Sequence, residues 1–214
     1  MAYTQATIRQ DLKQLNIARW DWAGDAAKLP VDLTTGKQPV LPAQDATEEV
    51  AQYCWCAYEK SLRGSGDEVL GRVNHLSAAD LYEKVSEIVG KQTLFASGTK
   101  GNLLKMDKWA RVVNDSWILG GIHRGAKFRL VSPRVMENLW NSNIGVPIVT
   151  AREILGLLHF GYRMQQIGPW QVLVLVDRSR SAMASLVEYD LLMQSEGTIR
   201  NVLKLVDRSR LKVS

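Results

Sequence analysis

The sequence contains few of the residues on which metal and thiol chemistry depend. Its 214 residues include two cysteines and three histidines. His75, His123 and His159 do not stand at ligand spacing from one another, and neither an H-E-x-x-H motif nor paired C-x-x-C motifs occur. The glycines form no G-x-x-x-x-G-K-[ST] phosphate loop. We therefore expect no metal site and no cofactor.

Long apolar runs are also missing. No stretch approaches the roughly 18 to 20 apolar residues that cross a bilayer, and the start MAYTQATIRQDLK lacks the basic-then-apolar order of a signal peptide. We expect no membrane span and a chain that is cytoplasmic as synthesised. Export into target cells without a cleaved signal peptide stays open. A hydrophobic share of 46% is ample for a folded core.

Basic residues are unevenly distributed along the chain. Residues 1–107 carry 12 Lys and Arg against 14 Asp and Glu, whereas residues 108–214 carry 15 against 8. Most of the later cations are arginines, which bind phosphate or carboxylate through two parallel hydrogen bonds. A polyanionic partner such as a nucleic acid is therefore plausible.

The two cysteines lie in the run QYCWCAYEK, whose spacing predicts a helix. Residues two apart point to different sides of a helix, so Cys54 and Cys56 are poorly placed for a shared metal or a mutual disulfide. The favoured interpretation is one buried and one half-buried thiol. The alternative is a cysteine and histidine-dependent hydrolase or transferase.

The first ninety residues predict helices. Thr7 and Gln10 form a T-x-x-Q capping box, Asp45 and Glu48 open a second helix, and a third runs from Ser77 to Gly90. Three prolines interrupt the chain between the first two helices. We predict a helical arm and Pro-containing linker over 1–44, a helical part over 45–90 and a mixed body over 91–214.

The second half mixes helices with strands. Strands are predicted at TLFAS (93–97), KFRLV (127–131) and WQVLVLV (170–176), the last central because it is β-branched and uncharged. Helices are predicted up to Gly120 and Gly121, from Ser132 through Trp140, and from a capping box at Thr150 and Glu153 to about Gln166. The fold class is α+β, a helical N-terminal part followed by a mixed body with a small central sheet.

A ten-residue segment occurs twice. QVLVLVDRSR at 171–180 returns as NVLKLVDRSR at 201–210, with eight of ten positions identical. The offset of thirty predicts a strand, helix, strand duplication in which 181–196 is the helix. Each copy ends in an Arg-x-Arg pair that could face an anion.

The stretch SWILGGIHRGAKFRLVSPR combines a histidine, several cations and a serine. Such a set suits metal-free phosphodiester cleavage, with an imidazole as general acid or base and a guanidinium stabilising the charge of the transition state. The predicted catalytic residues are His123, Arg124, Arg129 and Ser132. The predicted nucleic-acid-binding residues are Lys127, Arg111, Arg134, Arg178, Arg180, Arg208 and Arg210.

The segments KWARVVNDSWILGGIHRGAKFRLVSPR and VTAREILGLLHFGY resemble the C-terminal toxin modules of bacterial secreted polymorphic proteins, including type VI and Rhs-type cargo. The resemblance covers about residues 93–165, and the first ninety residues have no counterpart. It implies an antibacterial effector with an immunity protein or chaperone as partner. Its motifs assign no catalytic residue. A rival hypothesis is a non-enzymatic adaptor or immunity-type protein that binds an acidic partner through its arginines.

Overall fold

The computed structural model describes residues 3–15, 43–71, 111–143 and 145–208. The helices are α1 (Gln5–Gln14), α2 (Ala43–Leu62), α3 (Arg111–Arg124), α4 (Met136–Leu139), α5 (Val149–His159), α6 (Arg178–Ala182), α7 (Leu186–Glu196) and α8 (Ile199–Leu203). The strands are β1 (Glu68–Leu70), β2 (Phe128–Leu130), β3 (Trp140–Asn141), β4 (Val146–Pro147), β5 (Tyr162–Ile167) and β6 (Trp170–Leu175).

Four strands form a mixed sheet in the order β1-β2-β6-β5. β1 pairs with β2 in parallel, and the other two pairings are antiparallel. β6 is bonded on both sides, which confirms that the WQVLVLV segment is a central strand. β3 and β4 form a separate two-stranded sheet. The α+β class is confirmed.

One hydrophobic core joins the helices to the sheet. Phe128 and Leu173, which lie opposite each other on β2 and β6, are fully buried in the same cluster as Ile118 and Ile122 of α3. Leu12 of α1 is fully buried in that cluster too. Within the described residues, no helix is long and apolar enough to cross a membrane.

The sequence predicted that a helix ends at Gly120 and Gly121, and this prediction is wrong. α3 continues through Gly120 and Gly121 to Arg124. The two glycines instead allow close packing, Gly120 against α2 and Gly121 against the Phe128 ring. A Cβ on Gly120 would come within 2.2 Å of the Tyr58 carbonyl oxygen of α2. The turn comes instead at Gly125, whose φ of +74° favours glycine.

The helix predicted to reach Gln166 ends at His159. Gly161 adopts a φ of +89°, and a Cβ there would lie 2.4 Å from the Asp177 carbonyl oxygen. The chain then turns into β5, which forms a hairpin with β6. The predicted capping box is also wrong, since Ile148 is the N-cap and Thr150 and Glu153 are buried.

Other predicted boundaries need correction. α1 is capped by Thr4, which forms its box with Thr7, rather than by Thr7 with Gln10. The helix predicted from Ser132 through Trp140 is helical only over Met136–Leu139. The predicted helix from Ser77 and strand at 93–97 lie outside the described residues.

The two repeat copies adopt different structures. Gln171–Leu175 of the first copy is strand, whereas Asn201–Leu203 of the second belongs to α8 and turns follow. The predicted strand, helix, strand duplication is therefore wrong. The predicted helix over 181–196 is also divided, because α6 ends at Ala182 and α7 begins at Leu186.

Candidate functional site

His123 lies in the last turn of α3 with both ring nitrogens hydrogen-bonded. Nε2 lies 3.0 Å from the Ala184 carbonyl oxygen, and Nδ1 lies 2.9 Å from the Tyr58 hydroxyl. Because a carbonyl only accepts, Nε2 carries the proton, and in the neutral ring Nδ1 accepts from Tyr58. Burial lowers the pKa of the imidazole below its usual value. The ring is therefore held neutral and is not the open acid or base predicted from the sequence.

The Tyr3 ring, just before α1, lies against the His123 ring. Its ring centroid lies 5.4 Å from that of His123, in an edge contact. The Tyr3 hydroxyl donates to the Asp11 carboxylate at 2.5 Å, and the Leu186 amide at the start of α7 donates to both residues. Burial raises the pKa of the Asp11 carboxyl. These hydrogen bonds fix Tyr3 and α1 against the start of α7, and the Tyr3 ring lies against the imidazole.

Arg124 is occupied by internal acceptors. Its Nε donates to the Ser61 carbonyl at 2.9 Å, and its Nη2 donates to the Gly66 carbonyl and to Glu68 Oε1 at 2.8 Å. Glu68 is fully buried and also accepts from the Ser61 hydroxyl at 2.7 Å. Burial, opposed by these hydrogen bonds, raises the pKa of Glu68 to about 7. Arg124 therefore joins α3 to β1 and the loop before it.

The remaining predicted catalytic residues are not brought to His123. Arg129 donates to Asp67, and Ser132 is 3% exposed beyond the opposite end of β2. His123 and Arg124 end the helix that precedes β2, whereas Ser132 follows that strand. At an extended rise of about 3.3 Å per residue, Phe128 at the start of β2 is about 13 Å from Ser132. The predicted constellation of His123, Arg124, Arg129 and Ser132 is thus not assembled around one point.

Four exposed cations lie on or directly after the strands at one end of the four-stranded sheet. We call this group the basic sheet end; it consists of Lys127, Arg163, Arg178 and Arg180. Among the described residues, none of the four pairs with a carboxylate. Their charges are therefore available to an external anion.

The strand register places Lys127 and Arg163 on either side of β6. Arg163 of β5 lies opposite Val174 of β6. Lys127 immediately precedes Phe128, which lies opposite Leu173 on the other side of β6. The two cations therefore flank the last residues of β6. Arg178 and Arg180 follow that strand directly in α6.

Asp177 orders the segment that carries the two arginines. Its carboxylate accepts from the Ser179 hydroxyl at 2.6 Å and from the amides of Ser179 and Arg180. These hydrogen bonds, led by that from the Ser179 side chain, lower the pKa of Asp177. The only acid in this segment is consequently engaged by its own backbone as a helix cap.

The other predicted nucleic-acid-binding residues lie elsewhere. Arg134 donates to the Gln171 side chain and to the Leu205 carbonyl, and Gln171 in turn donates to Asp207. Arg208, which is exposed, follows Asp207 and so lies near the start of β6, away from the basic sheet end. Arg111 begins α3. Arg210 is outside the described residues.

The cysteines do not form a catalytic pair with a described histidine. Cys54 is fully buried, and burial raises its pKa to about 12. Cys56 is half-buried and accepts a hydrogen bond from Gln52 at 3.4 Å. A thiol with so high a pKa remains protonated and is a poor nucleophile.

Arg163 is the cation that the sequence interpretation missed as a binding residue. The helix predicted from Thr150 to about Gln166 includes Arg163, because Ile154, Leu155, Leu158 and Tyr162 follow helical spacing. Gly161 was the available signal for the end of that helix. With the helix ended there, YRMQQI alternates as a strand and directs Arg163 away from the buried Tyr162.

Comparison with known proteins finds no matching family model, no matching curated protein and no matching solved structure.

Proposed function

We propose that this protein is a toxin-like effector that binds nucleic acid through the basic sheet end. The supporting observation is that Lys127, Arg163, Arg178 and Arg180 lie at the same end of the sheet, all exposed and none paired with a described carboxylate. Three of the four are arginines, whose planar guanidinium groups match the geometry of phosphate oxygens. A phosphodiester backbone supplies closely spaced charges of the required sign.

Binding is tested by salt-dependent titration of fluorescent RNA and DNA oligonucleotides. We expect R178A/R180A to bind more weakly and to reduce the slope of log affinity against log salt by about 2, because each phosphate contact contributes roughly one counterion. The matched control is R200A/K204A, which removes two other exposed cations. Equal losses in both double variants, or binding that salt does not weaken, would contradict this assignment.

The toxic activity rests on the resemblance to secreted toxin modules, and metal-independent cleavage is the chemistry we assign to it. Expression in a bacterium is expected to slow growth and degrade RNA or DNA, and R178A/R180A should relieve both effects. Purified protein should cleave equally well with a chelator present. An immunity protein or chaperone that binds this chain would be its partner in the producing cell.

A non-enzymatic binding protein is the second candidate. It is favoured by the occupied nitrogens of His123 and by the composition of the basic sheet end, which consists of lysine and arginine and includes no carboxylate, imidazole or thiol. This candidate predicts that purified protein binds oligonucleotides or an acidic protein but leaves RNA and DNA intact. Co-expression would then protect cells from another protein rather than harm them.

A further inference from the structure

Met183 has a large apolar side chain that is exposed to solvent. It ends the helix α6, which carries Arg178 and Arg180 of the basic sheet end. Met183 is 69% exposed, whereas Ser181, two residues before it, and Ala184, the next residue, are 6% and 3% exposed. A large apolar group at such exposure loses the stabilisation that burial would give it. Burial of its neighbours means that the backbone is anchored while the Met183 side chain remains outside.

The anchoring comes from hydrogen bonds on both sides of Met183. Asp177 caps the start of α6, and the Met183 amide donates to the Arg180 carbonyl at 3.2 Å. On the other side, His123 Nε2 donates to the Ala184 carbonyl at 3.0 Å. The side chain therefore projects from an ordered segment. An ordered segment loses less conformational entropy when it binds a ligand.

Met183 lies three residues after Arg180 and retains helical backbone angles. At this spacing two side chains leave the same side of a helix, with Cβ atoms about 5 to 6 Å apart. An apolar contact and a cation are thus presented together. Phosphates can bind the cation, but only a base offers a flat apolar face to the methionine.

We propose that Met183 packs against an unpaired base of nucleic acid bound at the basic sheet end, with Arg180 and Arg178 on neighbouring phosphates. This inference rests on the proposed function and adds a substrate class, namely single-stranded segments or unpaired bases. In a continuous duplex the base faces are stacked on one another. They reach an apolar side chain only after two neighbouring base pairs are unstacked, which is unfavourable.

The test compares wild type with M183S on a single-stranded RNA and on the duplex formed with its complement. We expect M183S to lose about 5- to 20-fold in affinity for the single strand, by analogy with the loss of one stacking contact. Duplex affinity and the salt slope should change little, because the cations remain. L203S is the matched control, since Leu203 is also apolar and 47% exposed but belongs to α8.

M183F serves as a second variant. An aromatic ring can pack on a base, so M183F should retain or strengthen binding to the single strand. The inference is overturned if M183S binds the single strand as tightly as wild type, or if it weakens single-strand and duplex binding equally. If wild type binds neither oligonucleotide, the proposed function fails and this inference fails with it.

Discussion

The Arg152 guanidinium and the Asp115 carboxylate form a two-point ion pair in the interior. Arg152 Nη2 lies 2.7 Å from Asp115 Oδ2, and Nε lies 2.9 Å from Oδ1. The side chains are 11% and 4% exposed. The Tyr189 ring lies 5.3 Å from the guanidinium carbon, and its hydroxyl donates to the Arg152 carbonyl. One arginine therefore links α3, α5 and α7.

Removal of this arginine should strongly destabilise the fold. R152M removes one side of this buried, two-point ion pair, and removal of one partner of a buried pair typically costs about 3 to 5 kcal/mol. Urea unfolding measures the loss. The control is E59Q, which breaks the exposed pair with Arg63 and should change the free energy of unfolding by less than about 1 kcal/mol. Similar effects of the two substitutions would contradict the prediction.

Glu153 should make the protein less stable as pH rises. Burial raises its pKa to about 8 from an ordinary value of 4.5. Between these values the folded state retains a proton that the unfolded state has released, so unfolding becomes easier with increasing pH. The effect approaches about 1.4 kcal/mol per pH unit for one proton.

E153Q keeps the acceptor for Asn114 and removes the titration. The variant should show a shallower fall in the free energy of unfolding between about pH 5 and 8. Glu68, whose pKa is raised in the same direction, remains in both proteins and cancels in the comparison. Parallel curves for wild type and E153Q would show that Glu153 is ionised in both states.

His123 should have the opposite pH dependence. Burial lowers its pKa from 6.5, so the unfolded state binds a proton before the folded state does. Stability is therefore expected to fall as pH drops below about 6.5, and the fall should end only where Nδ1 of the folded protein is itself protonated and gives up the hydrogen bond from Tyr58. H123Q retains an N–H donor for Ala184 and cannot gain the proton. Thermal melts at pH 5 and pH 7 should differ less for H123Q than for wild type.

Gly120 should not tolerate even alanine. The helix gains up to about 1 kcal/mol in propensity from this change, but the new methyl group meets the Tyr58 carbonyl oxygen at 2.2 Å. Overpacking against a backbone atom costs about 1 to 3 kcal/mol, so G120A should lower the melting temperature. Q10A, at an exposed position of α1, should leave it nearly unchanged.

The sequence predicts structure well where local and tertiary signals agree. The WQVLVLV strand is β-branched, uncharged and buried, and it lies at the centre of the sheet. The helix α3 was wrongly predicted to end at Gly120, because a sequence alone does not distinguish a glycine that permits close helix packing from one that forms a turn. Tyr162 misled the prediction because its spacing from Ile154 suits a helix, although Gly161 reverses the chain between them.

The candidate site could be predicted only in part. The sequence alone singled out the Arg-x-Arg pair of Arg178 and Arg180, and both side chains are exposed, whereas their role in binding an anion stays a prediction. The internal acceptors of Arg124 could not be predicted, because Ser61 and Glu68 meet it through long-range packing. Sequence also gives no indication that Ala184 occupies a nitrogen of His123.

The hydrogen bonds from Leu186 to Tyr3 and Asp11 join positions more than 170 residues apart in the chain. A ribosome exposes the first helix long before it has synthesised the residue that secures it. α1 can pack on α2 once both have been synthesised, but the Leu186 amide that secures Tyr3 and Asp11 becomes available only much later. A chain released before Leu186 should therefore leave Tyr3 and Asp11 without this donor, and incomplete chains of this kind are prone to aggregation.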